Sequence, residues 1–358
     1  MHMIHSGRFN DKQVLLADRD PKQSNDRTWC FWEKEDGLFE PVVFRRWEKL
    51  AYHDEGFAKE LHIAPYHYKM IRGADFYRHC FEAIWRQPNF HFMQGNVEEV
   101  FGDAEGAGIR INGKTLRAGH VFNSIPPPHP QLSKKEYWLL QHFKGWLVET
   151  GRPVFDTDKA TLMDFRTSQR QGTAFCYVLP FSSNKALVEY TLFSGGLLPP
   201  QQYDEGLRQY LEEVLKTGPY EITDTEFGVI PMTNYRFSAG SGRVINIGTA
   251  GGQTKGSSGY TFRFIQKHSA ALVKQFSGQF PLSPKPPARF HFYDSVLLNI
   301  LHRRSLPGHR IFTTLFKKNI PSQVLKFLDN ETSLGEELKI ISTLPTLPFL
   351  KAAVRQVF

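Results

Sequence analysis

Two acids stand out for the chemistry their surroundings would impose. Glu189 lies in Leu187-Val188-Glu189-Tyr190-Thr191-Leu192, an apolar and aromatic run that reads as a strand. A carboxyl carried into the interior loses its hydration, so its pKa rises and it can hold a proton at neutral pH. The plainer alternative is a carboxylate neutralised by an arginine. Asp18 ends Gln13-Val14-Leu15-Leu16-Ala17-Asp18, which reads as a short buried strand. An acid at the end of the second strand of a nucleotide-binding sheet accepts hydrogen bonds from ribose hydroxyls. An ordinary edge strand with a surface aspartate is the competing reading.

A third signal is the run Arg243 to Ile247 followed by Gly248-Thr249-Ala250-Gly251-Gly252. A hydrophobic strand there enters a glycine-rich turn and continues through Lys255, Gly256 and Gly259 into an amphipathic helix from about Tyr260. Glycine permits close backbone approach, and a helix start offers N–H donors to an anion or a ring carbonyl. Near the other end, Arg27-Thr28-Trp29-Cys30-Phe31-Trp32 sets two indoles beside an arginine. They read either as a packed corner or as a pocket wall with Arg27 close to a nucleotide.

The elements that must position these residues follow from periodicity. Phe44 to Ile71 is strand-rich, Gly73 to Phe81 helical, and Phe90–Val100 with Gly108–Val121 a meander turning at Asn112-Gly113. Val121-Phe122-Asn123 is a further strand, and Pro126-Pro127-Pro128-His129-Pro130 marks a crossing between domains. Four strands in series occupy Lys144 to Phe193, an amphipathic helix Tyr203 to Leu215, and a returning strand ends at Gly228-Val229-Ile230-Pro231-Met232.

Composition narrows the function classes. The 358 residues are 41% hydrophobic and 22% charged, enough for a substantial core. Thirty Phe, 13 Tyr and 6 Trp could line a pocket for a long apolar ligand or simply fill the core. The net charge of +8 is scattered, which excludes a nucleic-acid groove but suits an anionic membrane surface. Three widely spaced cysteines give neither a metal motif nor a disulfide framework, and a reducing cytosol is expected. No metal, P-loop, nucleophile elbow or HExxH signal is present.

Taken in order, Asp26-Arg27-Thr28-Trp29-Cys30-Phe31-Trp32, Val188-Glu189-Tyr190-Thr191-Leu192-Phe193, Gly228-Val229-Ile230-Pro231-Met232 and Gly248-Thr249-Ala250-Gly251-Gly252 through Ser258-Gly259-Tyr260-Thr261-Phe262 resemble the flavin-dependent lycopene cyclases of bacteria. The likeness spans nearly the whole chain and includes Lys317-Lys318-Asn319 and Phe327-Leu328-Asp329. It implies an α/β fold: a Rossmann-like FAD-binding domain with an antiparallel-sheet substrate domain. The expected division is 1–130 for the N-terminal part of the FAD domain with inserted substrate-domain segments, 131–235 mainly for the substrate domain, and 236–358 for the return to the FAD domain and a helical C-terminal region. The first strand and its GxGxxG turn have no counterpart in this sequence. About 20 to 30 residues, the size of a strand, turn and helix start, are expected to be encoded in frame upstream.

The resemblance implies cyclisation of lycopene ends to β-ionone rings, giving γ- and β-carotene, without net redox change but with reduced FAD supplied by NADPH or NADH. Such a reaction needs an acid, a dry pocket and groups that stabilise a carbocation. Glu189 is assigned as the acid, with Trp29, Trp32 and Tyr190 as aromatic walls. Asp18 is assigned to the adenosine ribose, Arg27 to the phosphate or adenosine side, and Gly248, Gly251, Gly252 and Gly259 to the turn beside the flavin ring; Lys255 would face flavin or solvent. A cytoplasmic protein held peripherally on the inner face of the cell membrane is expected, docking through the region of Lys317-Lys318 and Phe327-Leu328. Two rivals stay open: an FAD-dependent monooxygenase or dehydrogenase, and a non-catalytic carotenoid- or lipid-binding relic.

Overall fold

The computed structural model describes residues 1–278 and 287–358. The short helix α1 (His2–Ser6) and strand β1 (Val14–Asp18) open the chain. Five strands follow: β2 (Thr28–Glu33), β3 (Arg45–Trp47), β4 (Lys49–Asp54), β5 (Phe57–His62) and β6 (His67–Arg72). Helix α2 (Gly73–Trp85) leads to β7 (Phe90–Gln94), the meander β8 (Val97–Asp103), β9 (Gly106–Ile111) and β10 (Lys114–Ala118), and then β11 (Val121–Asn123). Beyond the prolines come β12 (Trp138–Thr150), β13 (Lys159–Asp164), β14 (Thr173–Pro180), β15 (Lys185–Ser194), α3 (Pro200–Gln209) and β16 (Tyr220–Thr233). Short strands β17 (Gly240–Ser241) and β18 (Val244–Asn246) precede α4 (Phe262–Phe276), α5 (Ala288–His302), α6 (Gly308–Lys318), α7 (Pro321–Leu328), α8 (Leu334–Ile341) and α9 (Thr346–Val357).

The dominant layer is a seven-stranded sheet ordered β16-β12-β15-β14-β13-β4-β5, antiparallel except where β13 runs parallel to β4. Strand β14 is buried at all eight positions, because both faces are covered. Val188, Tyr190 and Leu192 of β15 point to one face, where Tyr203 and Leu207 of α3 seal a compact cluster. Leu187 and Phe193 point to the other, where Phe175 and Tyr177 join side chains of α5, α6 and α7 in the main core. A smaller sheet ordered β2-β6-β3 lies beside that core.

The remaining strands form much smaller sheets. β1 pairs in parallel with β7 alone, and β11 pairs in parallel with β18, which also carries β17. Among the described residues β1 and β11 therefore each present a free edge, which a further parallel strand would pair with. Strand β1 departs from the buried strand its sequence predicts: Leu15 and Leu16 are 42% and 36% exposed. Successive side chains point to opposite faces, and a two-stranded ribbon offers too little cover for either. The turn at Asn112-Gly113 takes positive φ at both residues and closes the meander as its sequence predicts.

Candidate active site

Strand register builds the site. On β12, which lies between β15 and the edge strand β16, Gly145 stands opposite Glu189 of β15 on one side and opposite Glu226 of β16 on the other. Tyr177 of β14 continues the row beyond Glu189. Residues in register share a face of the sheet, so Glu226, Gly145, Glu189 and Tyr177 form one transverse line. Only glycine suits its centre: a Cβ at 145 would sit 2.9 Å from Glu226 Cγ and 3.0 Å from Leu187 Cδ1. The missing side chain lets two carboxyl groups reach over β12 to within hydrogen-bonding range of each other.

Each acid is also held locally. Thr191 donates its hydroxyl to Glu189 Oε1 at 2.8 Å, and Thr28 donates to Glu226 Oε2 at 2.8 Å. Glu226 is buried although its neighbours along the outer part of β16 are mostly exposed. Burial drives the Glu189 carboxyl well above the ordinary glutamate range, and the nearby Glu226 charge pushes it further. Burial also raises Glu226, but Thr28 and the proton on Glu189 hold it back. A proton between the two is therefore held more firmly on Glu189 than on Glu226. Glu226 Oε1 has no donor among the described residues while both groups are ionised; a proton on Glu189 supplies one.

Thr28, Cys30 and Trp32 alternate along β2 onto the face that meets this pair. Burial pushes the Cys30 thiol up, so it stays protonated. The Trp32 ring meets Tyr260 edge-on at 4.6 Å. Trp32 Nε1 is buried without a hydrogen-bond partner among the described residues, while Tyr68 lies against the Cys30 thiol and Tyr260 against the Tyr177 phenol. Burial raises the phenols of Tyr68, Tyr177 and Tyr260. The side chains of this face are thus aromatic or uncharged. A cavity of about 280 Å³ abuts Glu226, with Leu147, Phe181 and Leu187 in its wall beside the charged Arg72, Asp75, Arg78 and Asp224.

The remaining sequence assignments are scattered by face. Trp29 lies on the opposite side of β2, its ring 5.5 Å from Phe262 and within 5.9 Å of the Arg27 guanidinium. Tyr190 faces α3, where its ring abuts Gly206, rather than the carboxyl pair. Arg27 is ion-paired to Asp26 at 2.6 Å. Asp18 stands at the end of β1, accepts the Asp20 N–H at 2.9 Å and pairs with Lys22 at 3.2 Å. Gly248 and Gly251 form a single 3-10 turn that Gly252 ends in the left-handed region. Gly259 has φ +71° and abuts Gln141, on the same face of β12 as Gly145, so the loop overlies the sheet face that carries the acids.

Lys255 is a correction. It faces neither solvent nor the glycine turn but is 4% exposed, paired with Asp294 of α5 at 2.5 Å and with Asn330 at 2.8 Å. Ser257 donates to the same Asp294 oxygen at 2.6 Å. A buried ammonium needs such partners, and here they anchor the loop. Glu226, Thr28, Tyr177 and Tyr260 escaped the sequence reading. The one available signal was an acid just before Gly228-Val229-Ile230-Pro231-Met232, and nothing local gave its strand partner.

A family model described as lycopene cyclase protein matches residues 6–354. The chain belongs to the lycopene cyclase family. A lycopene beta-cyclase from Paracoccus sp. (strain N81106 / MBIC 01143) is 26% identical to this cyclase-family chain over 280 residues, 71% of the chain and 67% of that protein. Among solved structures, a geranylgeranyl bacteriochlorophyll reductase-like protein from Thermoplasma acidophilum has a TM-score of 0.63 at 11% identity, covering 98% of this chain and 94% of its own. A flavoprotein/dehydrogenase from Cytophaga hutchinsonii gives 0.59 at 10% identity, over 99% and 95%. The flavin-dependent brominase Bmp2 gives 0.58 at 12%, over 92% and 90%. This member of the lycopene cyclase family thus has an α/β fold resembling those flavoprotein scaffolds.

Proposed function

We propose that this protein is a lycopene β-cyclase that closes the ends of lycopene into β-ionone rings, giving γ- and then β-carotene. The observation that carries the reading is Glu189 placed beside Glu226 across Gly145 in aromatic surroundings, where burial drives its carboxyl pKa up. Glu189 gives its proton to the terminal double bond, the carbocation closes the ring, and a ring proton leaves. Trp32 and Tyr260 offer ring faces to the positive charge. Neutral phenols and a neutral thiol do not quench the cation.

The family implies FAD, kept reduced by NADPH or NADH. The residues fit its two ends: Asp18 is partly exposed at the carboxyl end of a parallel strand, and no heavy atom lies within 4 Å of a Cβ built on Gly248. A glycine-rich phosphate cradle is not among the described residues. Asp18 would hold the ribose, Arg27 the adenosine side, and Gly248, Gly251, Gly252 and Gly259 the ring end. When bound, the reduced flavin supplies negative charge that stabilises a nearby carbocation.

Among the described residues no helix is long and apolar enough to cross a membrane. Peripheral contact on the cytoplasmic face is proposed through α9, where exposed Leu347, Leu350, Val354 and Val357 recur at helical spacing beside exposed Lys351 and Arg355. Of the region expected from the sequence, Lys317 and Lys318 are exposed, whereas Leu328 is buried and Phe327 packs on the core.

A second reading, an FAD-dependent redox enzyme, rests on the fold shared with the brominase and the dehydrogenase. Expression in lycopene-accumulating bacteria, with chromatography of the pigments, tests the first reading. New β- or γ-carotene that disappears with Glu189→Gln is expected. Unchanged lycopene, together with NAD(P)H and oxygen consumed in step with another product, would replace the cyclase by the redox enzyme.

A further inference from the structure

We infer that Glu189 and Glu226 share one proton, and that Glu226 is the base that takes the proton released on ring closure. The inference rests on the cyclase reading for its substrate but on geometry for the pair. Both acids stand in register with Gly145, which has no side chain to separate them. Glu226 alone of the two lines the neighbouring cavity, together with Thr28 and Leu187. Its Oε2 takes the Thr28 hydroxyl, and its Oε1 is left for the proton carried by Glu189. Thr191 holds Glu189 Oε1. The groups facing the pair, Cys30, Tyr177 and Tyr260, are neutral; Asp224 and Asp26 add negative charge near Glu226, and Arg72, Asp75 and Arg78 share its cavity wall.

The proton balance closes within the pair. Glu189 protonates the terminal carbon–carbon double bond and becomes a carboxylate, while the substrate becomes a cation. Ring closure consumes a second double bond and leaves the positive charge on a ring carbon. The Glu226 carboxylate removes a proton from the adjacent carbon, and that C–H electron pair forms the ring double bond. Transfer of the proton from Glu226 back to Glu189 restores the starting state. No electron is gained or lost and no proton is drawn from solvent.

Infrared spectra of the full chain in H2O and D2O, taken across pH, test the sharing without any turnover. One protonated-carboxyl band should persist at neutral pH and should be altered by Glu189→Gln. In Glu226→Gln the band should disappear at a pH lower by more than about one unit, because the neighbouring negative charge is gone. An unchanged titration would overturn the pair. In the lycopene assay, Glu226→Gln should lose about 10²-fold in rate and Glu226→Asp should recover part of it. The acidic limb of the pH–rate profile should vanish with Glu226→Gln. It should move to higher pH with Thr28→Val, which keeps both carboxyls but removes a donor from Glu226. Near-normal turnover of Glu226→Gln would overturn the base role. Wild-type protein that shows the infrared coupling but never cyclises lycopene would remove the base role through failure of the cyclase reading; an active cyclase without coupling would overturn the pair alone.

Discussion

The two sheet systems of this molecule handle polar groups in opposite ways. In the seven-stranded sheet, long strands bring two carboxyl groups together across one glycine, Glu226 buried and Glu189 partly buried, and both pKa values rise. In the parallel pairs β1–β7 and β11–β18, strands of three to five residues leave free edges and exposed leucines. The first region is pre-organised: its chemistry is fixed by register, before any ligand arrives. The second holds its assigned residues loosely, with Asp18 bonded to its own loop and Arg27 to Asp26. A reaction that needs a proton at one place demands the first kind of construction. A surface that closes around an extended ligand tolerates the second.

The largest expected effect tests the first region directly. Glu189→Gln should lower cyclisation by about 10² to 10⁴-fold, measured as carotene formed per unit of folded protein. The corresponding substitution of Asp18 by Asn should leave the chemistry of the pair intact and weaken flavin retention instead. If Asp18→Asn removed the protonated-carboxyl band, the two regions would not be separable.

Next in size is Lys255→Met. It leaves Asp294 buried without its cation and should cost about 3–5 kcal/mol in denaturant unfolding. A loss below about 1 kcal/mol would mean that the ion pair does not anchor the glycine loop to α5. Gly145→Ala follows. Its methyl group would press on Glu226 and Leu187, at a cost of about 1–3 kcal/mol, and should separate the carboxyls. The infrared titration should then resemble that of Glu226→Gln; an unaltered titration would show that β12 does not set the spacing.

A smaller effect follows from proton linkage. Burial raises the Glu189 pKa in the folded protein above the ordinary value of 4.5 at which the unfolded chain releases its proton. Stability should therefore fall as pH rises above that value, by up to about 1.4 kcal/mol per unit, until Glu189 ionises in the folded state. Glu189→Gln should lack this slope, so the Tm of the variant relative to that of the wild type should rise from pH 5 to pH 8. Parallel pH curves for the two proteins would refute the raised pKa. The smallest effect belongs to the surface: Leu350→Asp on α9 should reduce flotation with anionic liposomes several-fold and leave Tm nearly unchanged.

The sequence by itself determined the strand pattern of the large sheet, the glycine turn after β18, the meander turn at Asn112-Gly113 and the resemblance that the family match bears out. These are local signals: alternation, turn residues and ordered motifs lie within a few residues of one another. It also marked Glu189, because an acid in an apolar run is visible in one dimension. Only the tertiary structure decided which groups meet it. Glu226 reaches Glu189 because β15 and β16 flank β12 in a register that places Gly145 between them, and register is set by the packing of whole sheet faces. The same packing turned Trp29 and Tyr190 away from the acids, brought Tyr260 over them and buried Lys255 against α5. A side chain's chemistry is written at its own position, but its proton partner is chosen by strands that become neighbours only when the sheet closes.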